Sequence, residues 1–205
     1  MTIHKIRNIF TNEELRILEK GFNYNDIPRT PDGNYINSKQ DKTGSGKGIN
    51  SELGRLQFRS IDFLSKSILN KLNKIVKNIT NSKLALSHSV PVEYSGQYGT
   101  PNLPVHWDHD DHDLIINFQL SSNTFWDLGI DKNIYKLQDN SALVFNANKY
   151  THWRPHKKFL NEEYIKMIFF RFYDVESNSD YSHLNYTLNH EIFKEIEEFR
   201  NSLGT

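Results

Sequence analysis

The sequence predicts an α+β chain: helices first, then an all-β core over residues 84–174, then a closing helix. Two observations carry this. Apolar residues recur at three- and four-residue spacing before residue 80 and again after residue 189. Between them the pattern changes to short aliphatic and aromatic runs separated by polar turns. The 205 residues suit one domain spanning 1–205.

Thr11-Asn12-Glu13-Glu14 reads as a capping box that opens a helix through about Phe22, burying Leu15, Ile17 and Leu18. Residues 23–50 carry Pro28, Pro31, Gly33, Gly44, Ser45, Gly46 and Gly48 with few apolar anchors, which predicts a long loop. Loops of that length are uncommon unless functional or disordered, so it is either a lid over a site or a plain insertion. From Asn50 or Ser51 to about Ile79, the residues Leu53, Leu56, Ile61, Leu64, Ile68, Leu72, Ile75 and Ile79 predict a long amphipathic helix, broken at most once. Its other face, with Arg55, Arg59, Lys66, Lys71, Lys74 and Lys77, reads as a solvated surface rather than a nucleic-acid patch. Residues 1–80 are thus expected to be helical support around the 23–50 loop.

After Thr80-Asn81-Ser82 come the runs Leu84-Ala85-Leu86, Val90 to Tyr94, Leu114 to Leu120, Ile134 to Leu137, Ala142 to Phe145 and Tyr164 to Tyr173. Turns such as Ser95-Gly96, Ser121-Ser122-Asn123 and Gln138-Asp139-Asn140 separate them, as in a barrel or sandwich. A final helix over about residues 189–203 offers Ile192, Phe193, Ile196 and Phe199 to the core.

Composition narrows the chemistry. Lys+Arg and Asp+Glu are both 25, so overall charge gives no sign of a nucleic-acid partner. Cysteine is absent, which excludes disulfides, thiolate zinc sites and iron–sulfur clusters. Any metal must be held by His, Asp or Glu. Residues 1–7 lack the apolar core of a signal peptide and no run is long enough to span a bilayer, so a cytoplasmic protein without a membrane partner is expected. The sequence carries no signal for an oligomeric state.

The candidate site begins with His106-Trp107-Asp108 and ends with His152 in Tyr150-Thr151-His152-Trp153-Arg154-Pro155. Two imidazoles and one carboxylate hold ferrous iron on one face and leave the other face open. Residues two apart on an extended segment point to the same side, so His106 and Asp108 can grip one ion together. With 9 histidines in the chain, His-x-Asp arises by chance on the order of half a time. It occurs twice, at His106/Asp108 and at His109/Asp111, so context must choose. For His152 the competing explanation is a buried imidazole bonded to a backbone carbonyl. His156 is an alternative ligand, but Pro155 rules out a regular helical pair between them.

The ordered set of strand, Gly-containing turn, His-x-Asp, strands, Asp139-Asn140-Ser141-Ala142-Leu143-Val144-Phe145, distal His, and a strand ending in Phe170-Arg171-Phe172 resembles the iron(II)/2-oxoglutarate-dependent dioxygenases. The resemblance covers about residues 84–174, with Asn140 where the family usually has Gly. It implies a double-stranded β-helix (jelly-roll) core with N-terminal helices and a C-terminal helix. It also implies Fe(II) at His106, Asp108 and His152, with 2-oxoglutarate and O2 as cosubstrates. The family's loop between its Asp and the next strand favours Asp108 over Asp111. The implied reaction is hydroxylation of a C–H bond in a small molecule, amino acid or protein side chain, with release of succinate and CO2. An intact Asp108 separates this from the family's halogenases.

The family anchors the far carboxylate of 2-oxoglutarate with a cation on its last barrel strand, because a bidentate cation fixes position and orientation. Here Arg171 ranks first, Lys166 second and Arg154 third, with Tyr94 as a further cosubstrate contact by family analogy. Period two puts Arg171 with Met167 and Phe169, and Lys166 on the opposite face. Ile165 stands where the family's nucleic-acid demethylases carry the first of two arginines, so that subfamily is not expected. Trp107 and Trp153 flank the ligands and are candidate substrate-pocket residues, as is His109. The cluster His109, Asp110, Asp111, His112 and Asp113 reads as a second cation site or a hydrated loop beside the pocket. The alternatives are a cupin-like metal protein that does not use 2-oxoglutarate, acting as an isomerase or small-ligand binder, and a metal-free interaction module.

Overall fold

The computed structural model describes residues 3–37, 47–58, 63–80, 83–108, 114–175 and 190–203. It is a mixed chain dominated by two antiparallel sheets.

The larger sheet has seven strands: β1 (His4–Arg7), β2 (Gly48–Asn50), β3 (Arg55–Gln57), β4 (Leu84–Ser95), β5 (Leu114–Ser122), β8 (Ser141–Phe145) and β10 (Tyr164–Asp174), ordered β1-β8-β5-β10-β4-β3-β2. The smaller has β6 (Leu128–Ile130), β7 (Asn133–Tyr135) and β9 (His152–Trp153), ordered β7-β6-β9. His106 pairs with His152 through an isolated bridge and so extends the small sheet by one position.

The large sheet is covered on both faces, which explains why β5 is buried throughout Leu114 to Leu120 rather than alternately. Leu114, Ile116, Phe118, Val144, Ile168, Phe170 and Phe172 face outward, onto helices α1 (Asn12–Glu19) and α2 (Lys66–Ile79). Val92, Tyr94, Ile115, Phe145, Ile165, Met167 and Phe169 face inward and meet Trp126, Leu128 and Ile130 from the small-sheet side. A third cluster, Val105, Trp153 and Ile196, lies under helix α3 (His190–Ser202).

Helix α1 has the expected capping box: the Thr11 hydroxyl accepts from the Glu14 N–H and the Glu14 carboxylate accepts from the Thr11 N–H. Glu14 does more than cap. It also accepts from the Ser67 hydroxyl and pairs with Lys71, tying α1 to α2. Burial raises its pKa, but Lys71, the Thr11 N–H and Ser67 outweigh it and hold the carboxyl at about 2. Because the folded pKa lies below the ordinary value, the associated stability is present above about pH 4.5 and is lost as the pH falls towards 2. Glu14→Gln should therefore cost about 1–2 kcal/mol at pH 7, after discounting for solvent screening, and much less at pH 3. Denaturant melts at both pH values check this; an equal cost at each would exclude the ionic part.

The long helix expected from residue 50 to 79 is corrected. Ser51–Leu53 form a single 3-10 turn that Gly54 closes in the left-handed region (φ 55°). A Cβ at Gly54 would come within 2.4 Å of the Pro101 backbone nitrogen, so a side chain fails there twice over. The chain leaves this turn as β3 and pairs with β2 and β4, and Ser65 caps the helix that begins at Lys66; Arg59 and Ile61 lie outside the described residues. Residues 1–80 are therefore not purely helical support: β1, β2 and β3 all join the large sheet. In the 23–50 loop, Tyr24, Ile27 and Tyr35 pack on the outward cluster, away from the space between the sheets. Gly44, Ser45 and Gly46 lie outside the described residues.

Candidate metal centre

The His106–His152 bridge is what assembles the site. The His106 N–H donates to the His152 carbonyl (3.2 Å), and the His152 N–H donates to the His106 carbonyl (2.9 Å). The Asp108 N–H donates to Ala147 (3.0 Å), which pins the other end of the segment. Two stretches more than forty residues apart in sequence thus become neighbours by backbone bonds alone. One ligand atom from each of His106, Asp108 and His152 lies within 4.8 Å of the others. An Asp108 carboxylate oxygen sits 3.9 Å from His106 Nε2 and 3.7 Å from His152 Nε2.

Both imidazoles are oriented by their other nitrogen. His106 Nδ1 lies 2.8 Å from the Pro104 carbonyl and His152 Nδ1 lies 3.4 Å from the Tyr150 carbonyl. A proton on Nδ1 leaves the Nε2 lone pair directed at the shared point, the arrangement by which backbone carbonyls fix ligating histidines. Burial lowers the pKa of both, and the neighbouring His106 ring further lowers His152, to about 3. Both are therefore neutral at pH 7, the form that can donate a lone pair to a cation.

The residues around this point divide by period two. Trp107 lies between two ligand positions and must point away from them. Its ring packs against Phe193 of α3, at 5.4 Å between centroids. Trp153, next to His152, is likewise turned out of the inter-sheet space, onto Phe199, and its indole N–H donates to the Asp131 carbonyl. The expectation that Trp153 and Trp107 line a substrate pocket is corrected for the same reason. His109 and the rest of the 109–113 cluster lie outside the described residues.

The four cosubstrate candidates fall in three different places. Arg171 faces inward and its Nη2 lies 3.4 Å from Asp108 Oδ2, so its charge is engaged with the ligand carboxylate itself. Lys166 faces outward and pairs with Glu19 of α1, which takes it away from the inter-sheet space. Arg154, two residues beyond His152 on the same face, is fully buried between the sheets with its guanidinium 4.8 Å above the Trp126 ring. Burial lowers its pKa to about 10, so it stays charged at pH 7. Tyr94 is buried beside the same indole, at 5.1 Å, and its hydroxyl accepts from Arg55 Nη1 at 3.0 Å.

Two residues here were not anticipated. Arg55 was read as part of a solvated helix face, and only the strand that follows Gly54 brings it to Tyr94. Asn117 sits on the inward face of β5, 3% exposed, with its Oδ1 lacking a hydrogen-bond partner among the described residues. An Asn in the middle of an aliphatic strand is the one sequence signal that could have flagged it.

No family model and no curated protein matches the sequence. Solved structures do. The chain is similar to an oxidoreductase of the 2OG-Fe(II) oxygenase family from Burkholderia pseudomallei, with TM-score 0.51, 10% identity, and 82% of this chain and 83% of that one covered. It is also similar to EctD from S. alaskensis in its apo form, with TM-score 0.54, 12% identity, and 84% and 72% covered. For EctD with 2-oxoglutarate and 5-hydroxyectoine the TM-score is 0.52, at the same identity and coverage. At these identities the likeness is one of fold alone. Among the described residues, no helix is long and apolar enough to cross a membrane.

Proposed function

We propose that this chain is an Fe(II)- and 2-oxoglutarate-dependent dioxygenase built on a double-stranded β-helix, in which His106, Asp108 and His152 hold the iron. The observation that carries the proposal is the convergence of two imidazole Nε2 atoms and one carboxylate within 4.8 Å. A facial set of two His and one carboxylate is the donor set of non-haem ferrous oxygenases, and it leaves coordination positions open. Sheet order supports the fold assignment: β4-β10-β5-β8 face β7-β6-β9 with His106 at the edge, so each sheet alternates strands from distant parts of the chain.

When bound, iron with 2-oxoglutarate and O2 would supply the oxidation of a substrate C–H bond, with succinate and CO2 released. The chain's own part is to hold the ligands in fixed tautomers through the Pro104 and Tyr150 carbonyls. It also surrounds them with an apolar interior made by Ile115, Phe145, Met167 and Phe169. Substrates of the class proposed are a small molecule, an amino acid or a protein side chain, met in the cytoplasm.

A second reading, a cupin-like metal protein without 2-oxoglutarate, draws on one observation. The interior face of β10 carries Ile165, Met167 and Phe169, and its cation Arg171 is engaged with Asp108. Melting separates the two. With Mn(II) present, 2-oxoglutarate at about 100 times its Kd should add about 2.7 kcal/mol, a rise of about 5–10 °C for a chain of this size. A rise with Mn(II) alone and none with 2-oxoglutarate favours the second reading. No metal-dependent shift at all removes both.

A further inference from the structure

Arg154 is a buried cation with no ion-pair partner among the described residues. It is 1% exposed, yet no carboxylate among the described residues forms an ion pair with it. Asp127 acts on it only from a distance. Of five N–H donors, its guanidinium spends one on the Trp126 carbonyl and directs another at the Met167 thioether, 3.6 Å away, which is a weak acceptor. Burying a guanidinium is costly unless its charge and donors are met, so the arrangement leaves a place for an anion.

Its position relative to the ligands is set by the ladders. On the inward face of β5 and β10, Ile115 pairs with Arg171, Asn117 with Phe169 and Gln119 with Met167. Arg171 stands at Asp108, Asn117 one step further in, and Met167, with Arg154 against it, one step beyond. Arg154 is also two residues past His152, a rise of about 6.8 Å along an extended strand. That is comparable with the reach of a five-carbon 2-oxo diacid measured from a metal that it chelates. The unpartnered Asn117 Oδ1 is a second, independent gap in the same interior; turning the amide by half a turn presents N–H donors to that space.

We infer that Arg154, with Tyr94 beside it and Asn117 on the path to it, anchors the far carboxylate of a 2-oxo diacid, while Arg171 positions the ligand carboxylate of Asp108. The anchoring cation then enters from the small-sheet side and lies over Met167, instead of projecting from the last strand. This inference rests on the metal and 2-oxoglutarate reading above.

The test uses calorimetry on the Mn(II)-loaded full chain with two ligands: 2-oxoglutarate and 2-oxopentanoate, which shares the chelating head but ends in a methyl group. Wild type should bind 2-oxoglutarate tighter by on the order of 100-fold, since the alternative leaves a buried cation unpaired. Arg154→Met should bring the two ligands within a few-fold by weakening 2-oxoglutarate alone. Arg171→Met and Arg55→Met should each keep the discrimination, whatever they do to metal affinity. Discrimination that survives in Arg154→Met, or that is lost in Arg171→Met or Arg55→Met, overturns the anchor. So does a wild type that binds both ligands equally. Should Arg154→Met fail to fold, the Arg171 and Arg55 variants still decide, and Arg154→Lys, a point charge without the planar fork, should discriminate to an intermediate degree. A wild type that binds neither ligand removes the metal and 2-oxo-acid reading itself, an outcome distinct from loss of the anchor alone.

Discussion

Asp108→Ala should abolish metal-dependent turnover and leave the fold standing. Asp108 supplies the negative charge of the candidate ligand set, the other two donors being imidazoles that burial keeps neutral. Its backbone bond to Ala147 survives the substitution, so the segment stays in place while the charge goes. Metal ions contribute several kcal/mol to the reactions they assist, so under the proposed function succinate release should fall about 1,000-fold or more. Mn(II) affinity should drop with it. Asp108 also faces Arg171 at 3.4 Å, so the variant leaves that guanidinium short of its anionic neighbour. A modest loss of apo stability, about 1–2 kcal/mol, is expected from that alone. Asp108→Asn separates the two effects, because it keeps shape and an acceptor oxygen while removing the charge. If Asp108→Ala binds Mn(II) within a few-fold of wild type, Asp108 is not a ligand.

The parts of the fold that were legible in the sequence are those with a strong local signature. Thr11 and Glu14 announce α1, because a capping box satisfies specific orphan N–H groups. The runs 84–86, 90–94, 114–120, 142–145 and 164–173 announce strands because they are largely apolar and bounded by turn residues, though the first two prove to be one strand, β4. Asn140 fits this, holding a positive φ of 56° where the family that the sequence resembles usually has Gly. What failed was short. β3 has three residues and buries only Leu56, so it shows no period of two, while Leu53 and Leu56 are spaced three apart as in a helix. The stop signal was Gly54, a single glycine whose left-handed conformation is visible only once the backbone is known. That one misread element also hid Arg55. β1 and β6 are likewise short, and β1 pairs only with distant β8, while β6 joins its hairpin partner β7 to distant β9.

The candidate ligands were legible because a carboxylate and two imidazoles at strand spacing constrain chemistry more than fold. The orientation of their neighbours followed from the same spacing, had it been applied to the tryptophans. A residue between two inward ligands, or next to one, faces out. Arg154 shows the converse: two positions from His152, it faces in and is buried. The outward-facing role of Trp153 leads to the second large effect.

Trp153→Ala should destabilise the protein by about 3–5 kcal/mol, lowering the melting temperature by about 6–20 °C. The indole is 0% exposed and packs with Val105 and Ile196, against Phe199. On its other side it lies flat over Gly129, where an added Cβ would fall 2.2 Å from Trp153 Cε2; this contact is why position 129 is glycine. Its N–H is satisfied by the Asp131 carbonyl at 2.9 Å, so truncation both opens a cavity and orphans an acceptor. Helix α3 depends on the same strand a second time, through Arg200 Nε donating to the Arg154 carbonyl. Trp153→Phe, which keeps most of the ring volume, should recover more than half of the loss. A pocket residue would behave otherwise: its truncation would raise KM and leave the melting temperature nearly unchanged. The structure requires the opposite ordering, with stability falling first and turnover falling only as the strand bearing His152 loosens. A Trp153→Ala variant with wild-type melting and an altered KM would place the indole on the substrate side of β9 after all.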